Sequence, residues 1–63
     1  MTQKELLYLE DAIGHEQILI DVCNYTIDSL EDDELIKFME SEVEKHTKMK
    51  EELLGFMEGL DNE

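Results

Sequence analysis

The sequence predicts an all-α antiparallel two-helix hairpin that completes its core by homodimerising into a four-helix bundle. Three observations predict it. Apolar residues recur at alternating three- and four-residue steps in two long runs, the spacing of an a/d heptad seam. The runs are equal in length and separated only by Leu30-Glu31-Asp32, which returns the second helix antiparallel to the first. The chain has 63 residues, one cysteine and no metal-finger spacing. A chain of that size buries only about 60% of its unfolded surface, so a lone hairpin is marginal and at least a dimer is expected.

The first helix is expected over about residues 3–29. Thr2 and Glu5 fit a capping box at its start, and no proline interrupts it. Its seam reads Leu6, Leu9, Ile13, Glu16, Ile20, Cys23, Ile27 and Leu30. The linker occupies about 30–32. Asp32 is a suitable N-cap for the second helix, and Asp33 and Glu34 complement the positive end of its dipole. That helix is expected over about 33–58, with Gly59 as its stop and Asp61-Asn62-Glu63 as a frayed tail. Its seam reads Leu35, Met39, Glu42, His46, Met49, Leu53, Phe56 and Leu60.

Each helix spans about 40 Å at 1.5 Å per residue. Folding the seams back about Glu31 pairs Ile27 with Leu35, Cys23 with Met39, Ile20 with Glu42 and Glu16 with His46. Beyond these, Ile13 meets Met49, Leu9 meets Leu53 and Leu6 meets Phe56. Ala12, Leu19, Ile36, Val43 and Met57 widen the apolar stripe, which suits a bundle better than a two-stranded coil.

Eighteen acids against five Lys and Arg give a formal charge of −13. Phosphate recognition needs a basic footprint, so nucleic acid and anionic membrane surfaces are poor partners. A solvated acidic shell is the simpler meaning of the charge, and a surface for a basic partner is the other. The chain is 41% hydrophobic and periodic, unlike a disordered acidic segment. No stretch approaches the ~18 apolar residues of a membrane span. The start lacks a basic then apolar leader pattern, so the chain is expected to be cytoplasmic at synthesis, which suits a free thiol.

Glu16, Glu42 and His46 are the ionisable members of the two seams and lie near their middles. A buried unpaired charge costs several kcal/mol, so a mid-seam polar cluster needs a reason. Three are open. A two-fold axis would gather four carboxylates and two imidazoles, the ligand inventory of a di-iron or di-manganese bundle, with Fe, Mn or Zn as the metal. Glu16 and His46 could instead form a structural ion pair that fixes register, with no cofactor. Or Glu42 could bend out to the surface. The usual bundle motif is Glu-x-x-His, and the residue three before His46 is Val43, which weakens the metal pattern.

His15 points about a quarter-turn from Glu16 and reads as a surface residue. Cys23 has no neighbouring base and reads as a small buried hydrophobe. Met39, Met49 and Met57 read as core fillers. Gly14 interrupts a strong helix at about 1 kcal/mol, which permits either a close helix approach or a local bulge. Ile18 and Tyr25 fall on an outer face, as ordinary exposed residues or as a contact joining dimers into a higher oligomer.

The block Lys4-Glu5-Leu6-Leu7-Tyr8-Leu9-Glu10-Asp11-Ala12-Ile13-Gly14-His15-Glu16-Gln17 resembles the start of coat F-type spore coat proteins of spore-forming Firmicutes, a family within the ferritin-like helical superfamily. Leu30-Glu31-Asp32-Asp33-Glu34-Leu35 is similar to that family's inter-helix turn, and Glu44-Lys45-His46 to its second-helix stretch. The resemblance implies a ferritin-like bundle, a non-catalytic structural role in or near the spore coat, and other coat proteins as partners. It matches Glu16 and His46 to first- and second-helix metal ligands and puts Val43 where the second glutamate would stand. The expected function is a small acidic assembly protein. The alternatives are a carboxylate-bridged metal protein using Glu16, Glu42 and His46, and an acidic adaptor for a basic partner.

Overall fold

A computed structural model describes residues 1–60, apart from the side chain of Leu60. The expected tail Asp61-Asn62-Glu63 lies outside the described residues. The chain folds as two helices, α1 (Gln3–Ser29) and α2 (Asp33–Leu60), packed against each other along their lengths.

Each helix begins on a side-chain cap. Thr2 accepts from the Glu5 amide at 3.1 Å, while the Glu5 carboxylate accepts from the Thr2 amide at 2.9 Å. Two amides that lack helical acceptors are thereby satisfied. These hydrogen bonds hold the Glu5 carboxyl below the ordinary carboxylate range. The chain leaves α1 at Leu30 in an extended conformation, with φ −90° and ψ 146°. Asp32 then caps α2, its carboxylate accepting from the Leu35 amide at 2.9 Å. α2 continues through Gly59, the expected stop. No described glycine has a positive φ, so the left-handed cap that would end the helix there does not form.

On α1 the seam is as expected: Leu6, Leu9, Ile13, Glu16, Cys23, Ile27 and Leu30 are half-buried and Ile20 is buried. On α2 the expected frame holds at Met39, Glu42, His46 and Leu53, which are half-buried, and is corrected at three other positions. Leu35, Met49 and Phe56 are exposed, at 51%, 41% and 65%, so they do not face Ile27, Ile13 and Leu6. The half-buried positions are Ile36, Met39, Glu42, Val43, His46, Thr47, Lys50, Leu53 and Met57, so the seam is turned toward Ile36, Val43 and Met57, which had been assigned to the flank. The Glu16–His46 contact agrees with the expected register about Glu31, in which Glu42 stands level with Ile20.

α2 therefore carries two overlapping apolar frames. Leu35, Met49 and Phe56 belong to one; Ile36, Val43 and Met57 belong to the other. Each frame has one charged member, Glu42 or Lys50. The hairpin uses the second, because the Lys50 stem lies along the seam and its ammonium donates to the Gln17 side-chain oxygen. Among the described residues Ile20 alone is buried. Two helices side by side cannot surround more than that.

Candidate functional site

The three ionisable seam residues meet around one imidazole. Glu16 projects from the middle of α1, and its carboxylate lies 2.6 Å from His46 Nδ1. Glu42 precedes His46 by four residues on α2 and so shares its face; its carboxylate lies 3.5 Å from His46 Nε2. The side chains of Glu16 and His46 are 12% and 19% exposed, and that of Glu42 is 28% exposed. Burial thus falls from the Glu16–His46 pair outward to Glu42.

A carboxylate accepts hydrogen bonds and an imidazolium donates from both nitrogens. A doubly protonated His46 serves both carboxylates, whereas the neutral ring donates to only one. The short contact is to Glu16, so the inter-helix pair is the tighter one and Glu42 adds a looser second contact. Among the described residues no buried side-chain nitrogen or oxygen lacks a partner.

The polar layer extends sideways through two residues that the heptad pattern did not mark. Gln17 follows Glu16, donates to Asp21 at 2.8 Å through its amide nitrogen, and accepts from Lys50 through its oxygen. The available signal was the seven-residue series Ile36, Val43, Lys50, Met57, in which Lys50 is the sole polar member. Glu16–His46 and Gln17–Lys50 together pin the register of the hairpin at its midpoint.

Of the trio offered as metal ligands, Glu16 stands at a hydrogen-bond distance from His46 Nδ1, 2.6 Å, and Glu42 faces Nε2 at 3.5 Å. Among the described residues no group of three or more His, Cys, Asp and Glu is disposed to hold a metal ion. The arrangement can hold a proton between carboxylates and lock two helices in register.

Elsewhere, His15 is exposed beside Asp11 at 3.9 Å. Cys23 is a half-buried free thiol in the seam. Gly14 lies in unbroken α-helix, and a Cβ added there would meet nothing within 4 Å, so neither a bulge nor packing inside the hairpin requires it. Among the described residues no helix is long and apolar enough to cross a membrane. Comparisons with family models, with curated proteins and with solved structures give no significant match to this chain.

Proposed function

We propose that this chain is a non-catalytic assembly protein whose hairpin is one half of a homodimeric four-helix bundle. One observation carries the proposal: the isolated hairpin is an unfinished core. Its accessible surface is 5042 Å², whereas a compact monomer of 7.4 kDa exposes only about 4,200 Å². The excess of roughly 800 Å² is about what one partner contributes to a standard protein interface.

A helix in a four-helix bundle has two neighbours and needs an apolar stripe for each. α2 has both, since Leu35, Met49 and Phe56 remain exposed after the other frame has packed on α1. The Glu16–His46 contact acts as a register lock within this half, which accounts for the polar layer without chemistry or a cofactor. The acidic shell keeps the assembly soluble. The likeness of the Lys4–Gln17 block to coat F-type proteins supports a spore-coat setting, with other coat proteins as neighbours and a ferritin-like bundle as the architecture.

Native mass spectrometry of untagged protein grown with iron, manganese and zinc tests this proposal. A metal-free dimer is expected. A dimer carrying metal that is lost on Glu16→Ala or His46→Ala would replace it with the metal-binding alternative.

A further inference from the structure

The hairpin has two long sides of opposite chemistry. On one, the seven-residue rows Ala12–Leu19 of α1 and Leu35–Glu42–Met49–Phe56 of α2 run alongside each other. Leu19 and Leu35 are 43% and 51% exposed there, and Glu42 is the single acid of these rows. On the other side lie Glu10, Gln17 and Asn24 of α1 and Glu40, Glu44 and Glu51 of α2. That side closes through polar groups: Lys50 donates to Gln17, and Asn24, Ile27, Glu40, Val43 and Glu44 line a shallow open cleft.

Resting on the bundle reading above, we propose that a second copy of this chain seats on the Leu19–Leu35–Met49–Phe56 side and leaves the acidic side in water. Area and charge select both the occupant and the side. The surface in excess of a compact monomer, roughly 800 Å², matches one half of a standard interface and needs an occupant of comparable size. In a chain of charge −13, two copies meeting through Glu10, Glu40, Glu44 and Glu51 would oppose like charges at close range. The middle of the apolar side holds only Glu42, which already has a partner in His46, and Glu5, one heptad before Ala12, lies at its end with its carboxylate held by the Thr2 amide.

The same patch on both copies gives an isologous, closed dimer, so association stops at two through this side. Seating the second copy removes water from Glu42 and leaves His46 as its partner within the chain. The Glu16–His46–Glu42 layer thereby becomes a feature of the dimer interface as well as of the hairpin.

Hydroxyl-radical footprinting read by mass spectrometry, beside the sedimentation mass, tests the assignment without altering the chain. Each residue's reactivity is scaled to its exposure in the single hairpin. Phe56, at 65% exposure, is expected to fall at least fivefold below Tyr25, at 77% on the outer face of α1. Leu54, at 37% and turned toward the acidic side, is expected to keep its full scaled reactivity. A dimer in which Leu54 or Tyr25 is protected and Phe56 reacts freely would overturn the assignment while keeping the bundle. A mass that stays at 7.4 kDa would overturn the bundle and the assignment together.

Discussion

The apolar and acidic sides of this hairpin are built from the same two helices and differ by about half a turn of each. On the apolar side Leu35, Met49 and Phe56 stand exposed with nothing polar to hold them. On the acidic side several polar groups are paired: Gln17 serves Asp21 and Lys50, and Lys48 reaches Glu44 at 3.3 Å on the outer face. The difference teaches that a helix can be amphipathic in two directions. α2 spends one apolar frame on α1 and keeps another, so Leu35, Met49 and Phe56 form a second stripe and are not scattered surface residues.

The sharpest way to break the contrast is to place one charge on each side. Met49→Glu is expected to weaken the proposed dimer at least a hundredfold, about 2.7 kcal/mol, because the carboxylate would be desolvated without a partner. Glu44→Gln on the acidic side should leave the dimer constant within about twofold. Sedimentation equilibrium reads both. Equal effects would remove the sidedness.

The polar layer between the sides gives the next largest effect. Glu16→Ala should lower stability by about 1–2 kcal/mol, since it strips His46 of its 2.6 Å partner in a half-buried site. The paired change Glu16→Leu with His46→Leu should return to within about 1 kcal/mol of the parent or exceed it, as apolar groups often replace a buried ion pair without loss. Urea melts distinguish these. A double variant much weaker than either single variant would mean the layer does more than fix register.

Gly14→Ala sharpens the comparison from the outside. With nothing within 4 Å of the added methyl, it should stabilise α1 by about 0.5–1 kcal/mol and leave the dimer constant unchanged. Loss of association would show that a second copy approaches α1 at Gly14. The smallest effect lies at the N-terminal cap. Glu5 is held below the ordinary carboxylate range by its hydrogen bonds to Thr2, so the ionised form is favoured in the folded chain. Its contribution is fully present above the unfolded carboxylate pKa and is lost as pH falls through the lower folded value. Amide exchange at residues 3–6 should therefore quicken on acidification through that window, and Thr2→Ala should blunt the change.

The two helices were not equally legible. α1 has one heptad frame, so every seam residue from Leu6 to Leu30 could be named from spacing alone. α2 has two frames of equal apolar content, and periodicity cannot choose between Leu35–Met49–Phe56 and Ile36–Val43–Met57. The choice is tertiary. It depends on the extended backbone at Leu30, on the Asp32 cap, and on Gln17 standing ready to receive Lys50. The charge on Lys50 concealed the correct frame, although a long aliphatic stem with a polar tip is suited to such a position. Glu16 and His46 were legible as partners because both frames of α2 contain His46. Glu42 was legible with them, since it precedes His46 by one helical turn and shares its face.

The hairpin, as proposed, is half of a core. Sedimentation equilibrium of the untagged chain at micromolar concentration tests it most directly. A mass of twice 7.4 kDa is expected, with association and helix content lost together on dilution or heating. A species of 7.4 kDa that stays fully helical and melts cooperatively at every concentration would contradict it.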